Sequence, residues 1–100
     1  MSHYVVVLVT PTTEDWIPGY ITAVHALVDR HGGRYLARTA SHERLEGTGD
    51  HPALIGIVEF PSKEAAEAFY HDPAYKSHLQ ARLAGANNDL FLVEGKDDFA

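Results

Sequence analysis

From Tyr4 to Thr10 the chain runs YVVVLVT, closed by Pro11. A β-branched run this short, ended by proline, predicts a strand, and its apolar residues fall at both parities, so both of its faces require cover. Between Thr13 and His31 the period changes: Ile17, Ile21, Val24 and Val28 form a helical stripe. Thr13 or Asp15 is the expected N-cap there, and Pro18 is tolerated because it falls in the first turn. Gly32 and Gly33 stop the helix, one of them supplying a left-handed C-cap. Tyr35 to Thr39 predicts a second strand, with continuation to Leu45 left open, and the polar stretch Glu46 to Pro52 connects it to a third, Ala53 to Phe60. Pro61 and Ser62 then open a helix that packs through Ala65, Ala66, Ala68, Phe69 and Tyr70, with Ser62 as N-cap. Asp72-Pro73 breaks it and begins another short helix to about Leu83. Asn87, Asn88 and Asp89 read as a turn into a last strand, Leu90 to Glu94.

The order is βαββαβ. It predicts an α+β fold, the ferredoxin-like arrangement of a four-stranded antiparallel sheet with its helices on one face. Helices on one face leave the other bare. In the first strand Val5, Val7 and Val9 oppose Tyr4, Val6 and Leu8, and in the last Leu90 and Leu92 oppose Phe91 and Val93. Only one set can be covered within the chain, so a homodimer that packs sheet on sheet is expected.

With 100 residues, 45% of them apolar, the chain supports one domain with one core, and Lys96 to Ala100 is expected to be a loose tail. A net charge of −6, with only eight Lys and Arg, argues against a nucleic-acid partner. The absence of cysteine removes disulfides, thiolate metal ligands and thiol nucleophiles. No apolar run is long enough for a signal segment or a membrane span, which gives a cytoplasmic, membrane-free expectation.

The blocks HGGRYLAR (31–38), RLEG (44–47), IVEFPSKEAAEAFYHDPAY (57–75) and ARLAGANNDLFLVEG (81–95), taken in order, resemble the family known as domain of unknown function 1330, of the dimeric α+β-barrel superfamily. The resemblance implies a dimer whose two sheets face each other, with a pocket in each subunit between sheet and helices. Relatives in that superfamily include cofactor-free monooxygenases, lactone isomerases, haem enzymes and non-enzymatic ligand-binding domains, and fold alone does not choose among them. The tract from Thr10 to Gly19, with Trp16 and Pro18-Gly19, departs most from the family pattern.

Seven histidines raise the question of metal, but none pairs as HxxxH on a helix or HxH on a strand, so neither a metal nor a cofactor is expected. Ser41 beside His42 and Ser77 beside His78 point apart, and there is no G-x-S-x-G elbow or phosphate-cradling glycine loop. Arg38 shares strand parity with Leu36 and is placed on a covered face. There it forms either a register-fixing ion pair with Glu59 or Glu46, or an anchor for an anionic ligand group. Tyr20, Tyr70 and Tyr75 are aromatic groups whose hydroxyls need partners when buried. With His25 and Arg82 they are candidates to line an amphipathic pocket for a flat organic molecule. The reading is a small dimer that binds a small organic metabolite. Two alternatives stand beside it: a cofactor-free enzyme of monooxygenase or isomerase type, or an accessory dimer with its pocket packed shut.

Overall fold

The computed structural model describes Met1 to Ala100 and places β1 (His3–Pro11), α1 (Ile17–Arg30), β2 (Arg34–Thr39), β3 (Leu54–Phe60), α2 (Lys63–Tyr70), α3 (Lys76–Gly85) and β4 (Ala86–Glu94) in that order. The strands form one sheet in the order β2-β3-β1-β4, every neighbouring pair antiparallel. This is the ferredoxin-like α+β fold, with the second helical segment divided at Asp72-Pro73.

The run with apolar residues at both parities is central strand β1. Val5, Val7 and Val9 stand opposite Val58, Gly56 and Leu54 on β3, and opposite Leu92, Leu90 and Asn88 on β4. That face meets the helices: Val5 and Val58 share the core with Val24, Leu27 and Val28 of α1, Ala66 and Phe69 of α2, and Phe60 and Tyr75. On the opposite face Val6 pairs with Ile57 and Phe91, Leu8 with Ile55, and Tyr4 with Val93. No helix lies there, and Phe91 and Val93 are 55% and 45% exposed.

Local chemistry accounts for two of the helix ends. Gly32 adopts φ +77°, and the Gly33 amide donates to the Val28 carbonyl at 2.9 Å, the left-handed stop expected after α1. Ser62 Oγ accepts the Ala65 amide at 3.1 Å and caps α2.

Three boundaries differ from the sequence reading. The N-cap of α1 is Trp16, without a side-chain cap, instead of Thr13 or Asp15. The preceding segment is tied elsewhere: the Thr12 and Thr13 amides both donate to the Gly85 carbonyl, at 2.8 and 3.2 Å. Strand β2 ends at Thr39 and does not reach Leu45. Finally, Asn87, Asn88 and Asp89 make no turn. They pair with Thr10, Val9 and Leu8, because α3 passes directly into extended backbone at Ala86 and the ladder to β1 starts there. The Asn88 amide donates to the Arg82 and Ala86 carbonyls, so its side chain serves the helix–strand junction.

The end of α1 is clamped to the α2–α3 break by Asp72. Its carboxylate meets His31 Nε2 at 2.8 Å and Arg30 Nη1 at 3.7 Å, and accepts the Ala74 amide at 2.9 Å. The His31 hydrogen bond, then the Ala74 amide, hold the Asp72 carboxyl below the usual carboxylate range. A lowered pKa in the folded state stabilises fully above the unfolded carboxylate value of about 3.9, and that contribution is lost as pH falls through the acid range below it. Asp72→Asn is therefore expected to lower the urea midpoint at neutral pH and to converge on the parent protein as pH falls through the acid range and the carboxyl takes up its proton. A midpoint difference that does not change with pH would contradict this role.

Candidate functional site

Three segments bring a polar cluster into the space between α1 and the sheet. Tyr20 lies one turn after Trp16 on α1, and the two rings meet edge to face at 5.4 Å. Tyr75 closes the α2–α3 break; its ring is 4.7 Å from that of Phe69 and it is 1% exposed. Arg82 follows seven residues later, two turns on, and so shares the inward side of α3 with Tyr75. The Tyr20 and Tyr75 hydroxyls are 2.8 Å apart, Arg82 Nε donates to the Tyr20 hydroxyl at 3.1 Å, and Nη2 donates to that of Tyr75 at 3.4 Å.

The cluster borders a cavity of about 150 Å³. Val5, Val7, Val58 and Leu90 of the sheet and Trp16, Ile21 and Val24 of the α1 side supply apolar wall, and Gly56 leaves room where another residue would project. Tyr35 and Arg38 of β2 line it as well. Arg38 is otherwise exposed, which sets it at the mouth, with its guanidinium 3.9 Å over the Tyr35 ring. Burial pushes the Tyr20 phenol far above the ordinary tyrosine range, and the Tyr75 hydroxyl reinforces the shift. Burial also raises Tyr35, although Arg38 opposes it. Desolvation works against the Arg82 charge, but the Tyr20 and Tyr75 oxygens outweigh it and raise its pKa, so the guanidinium is charged at every working pH.

Of the six residues singled out in the sequence, Tyr20, Arg38, Tyr75 and Arg82 line the cavity, whereas His25 and Tyr70 do not. His25 stacks on Tyr35 from outside, centroids 5.6 Å apart, and its Nδ1 accepts from Arg38 Nη2 at 3.4 Å. Tyr70 is exposed and only edges the Tyr75 ring at 6.0 Å. Both lie one position after an inward residue, Val24 and Phe69, and a helix turns about 100° per residue.

Arg38 reaches the cavity by a different route from the one expected. A bulge between Tyr35 and Ala37 slips the β2 register, so Arg38 stands opposite Gly56 and shares the helix-side face with Tyr35, not with Leu36. Its expected partner Glu59 is engaged by Arg34 Nε at 2.8 Å, and Glu46 pairs with neither arginine. Tyr35 and the wall position of Trp16 were not among the candidates. Trp16 is held by its indole N–H, which lies 2.8 Å from the Thr13 carbonyl and 3.1 Å from that of Gly85.

The fold and this cavity between α1 and the sheet define a small ferredoxin-like α+β protein. The chain belongs to the family described as domain of unknown function (DUF1330), whose model matches residues 2–96. Among solved structures it is similar to a protein of unknown function from Rhodopseudomonas palustris, with TM-score 0.81 and 19% identity over 96% of this chain and 83% of that one. It is also similar to a dimeric ferredoxin-like protein of unknown function from Jannaschia sp. CCS1, with TM-score 0.62 and 16% identity over 94% and 99% of the two chains. A third is SnoaB, a cofactor-independent oxygenase from Streptomyces nogalater, with TM-score 0.62 and 14% identity over 98% and 94%. No curated protein matches the chain. Identities this low speak to fold alone.

Gly85 is the pivot of the tryptophan wall, because a Cβ there would run into the indole ring and the Thr13 hydroxyl. Gly85→Ala is expected to push Trp16 toward solvent at a cost of about 1–3 kcal/mol. As Trp16 is the only tryptophan, the checks are a red-shifted emission maximum and a lower urea midpoint; an unchanged emission maximum would contradict the placement.

Proposed function

We propose that this protein is a homodimer, joined through the open faces of its sheets, in which each subunit binds a small organic molecule in the cavity between α1 and the sheet. The cavity carries this reading: apolar walls enclose a few convergent polar groups, the general form of a small-molecule site. A purely structural dimer would close that space by packing, since interiors tolerate few voids larger than a water molecule. The second subunit is supported by Val6, Leu8, Ile55, Ile57, Phe91 and Val93, an apolar surface that a lone chain would leave to water. The Jannaschia protein, of the same fold, is itself described as dimeric.

Binding fits the cavity better than proton abstraction. Its wall holds no histidine, aspartate or glutamate, and the Tyr20 phenol is too weak an acid to supply a phenolate base. SnoaB gives the fold a precedent for cofactor-independent oxygen chemistry, but an analogous reaction here would use the cavity only to bind and polarise a substrate that ionises by itself.

Two measurements test the reading. Sedimentation is expected to give a dimer, and Val6→Lys, which places a charge at the centre of the open face, is expected to give a folded monomer. Titration with single-ring compounds, neutral and anionic, is expected to change Trp16 fluorescence saturably, and Val7→Phe, which fills the space beside Gly56, is expected to abolish the change while leaving the dimer intact. A parent protein that sediments as a monomer would remove the dimer, and one that binds none of the compounds would remove the pocket.

A further inference from the structure

Arg82 is 3% exposed, and no carboxylate lies within ion-pair distance of it; every ion pair in the chain involves other cations. Arginine is among the residues least often buried without a partner, because removing a charge from water is expensive unless an opposite charge answers it. Tyr20 and Tyr75 are its only side-chain partners, and burial keeps the Tyr20 phenol protonated. The cluster is thus a guanidinium held by two phenols, with no carboxylate beside it.

Its hydrogen bonding is equally one-sided. A guanidinium carries five N–H donors and no acceptor, and each phenol carries one O–H. Two of the N–H groups reach the phenol oxygens, and one phenol donates to the other across 2.8 Å. The remaining phenol proton and three N–H donors have no side-chain acceptor, and Arg82 Nη1 makes no protein hydrogen bond. A second cation, Arg38, stands at the mouth, also without a carboxylate partner. In a chain of net charge −6, both charged residues that line the cavity are positive. Nor does the proposed dimer supply the missing charge, since the partner's sheet would cover the face opposite the helices.

Building on the cavity reading above, we infer that the ligand is an organic monoanion, a carboxylate or an enolate of about single-ring size, whose charged oxygens sit on Arg82, Tyr20 and Tyr75 while its apolar body occupies the space beside Val7, Gly56 and Val24. The volume sets the size: a cavity of about 150 Å³ accommodates a benzene ring. The chemistry sets the charge: an anion supplies acceptors for the free donors and the counter-charge that Arg82 lacks. Phosphate esters fit poorly, because a dianion would need a wider polar lining than this apolar wall provides.

The test compares acids with their isosteric amides, namely benzoate, phenylacetate and hexanoate against benzamide, phenylacetamide and hexanamide, by Trp16 fluorescence and calorimetry at about pH 7.5, where the acids are ionised. The parent protein is expected to prefer at least one acid over its amide by roughly tenfold or more, in keeping with a charge-assisted hydrogen bond. Arg82→Met is expected to erase that preference without lowering the melting temperature, since an apolar side chain replaces a charge with no counter-charge. Tyr20→Phe, which barely alters the core volume, is expected to weaken the acid severalfold and leave the amide unchanged. Arg38→Met is expected to retain most of the preference. Amides that bind the parent as tightly as the acids would overturn the inference while leaving the pocket, as would an Arg82→Met protein that still prefers the acid. If neither series binds, the pocket reading falls and takes the inference with it.

Discussion

A buried guanidinium without a counter-charge is the constraint around which the interior of this protein is arranged. Arg82 reaches inward from α3 to Tyr20 on α1 and to Tyr75 at the break before α3, while its own carbonyl accepts from Asn88 at the start of β4. One residue therefore ties the first helix, the second helical segment and the last strand together. A hydrophobic residue of similar length would fill the same place without the desolvation penalty. The polar cluster instead borders an apolar cavity open at one side, and it carries more donors than acceptors.

A second constraint acts on the other side of the sheet. Four strands with helices on one face leave the Val6 side of β1 unpaired within the chain. The two faces divide the work, since the helix side builds a cavity and the open side is suited to a second copy. The β1–α1 connection links them: its Thr12 and Thr13 amides and the Trp16 indole converge on the Gly85 carbonyl, so the cavity wall is fastened to the α3–β4 junction.

What could be read from the sequence was set by local and periodic signals. The two-sided apolar run of β1, the Gly32 stop and the Ser62 cap depend on neighbouring residues, and all three stand as expected. Arg82 and Tyr75 were within reach of the same logic, because seven residues separate them on one helix face. Signals that long-range pairing overrides were misread. The bulge after Tyr35 reversed the parity of Arg38, and nothing in the apolar pattern marks it. The Asn87-Asn88-Asp89 run carries turn chemistry, yet the ladder to β1 takes it as strand. The residue types of His25 and Tyr70 suit a pocket, whereas their places next to Val24 and Phe69 turn them outward. Tyr35 faces the helices because it pairs with Val58 ahead of the bulge, whereas a parity that covers Leu36 and Arg38 puts it on the other face.

A crystal structure of the protein bound to phenylacetate shows which arginine receives the charge. The carboxylate is expected within hydrogen-bond distance of Arg82 and of a Tyr20 or Tyr75 hydroxyl, with the ring against Val7 and Gly56. A carboxylate turned outward onto Arg38, with Arg82 still bound only to its two phenols, would contradict it.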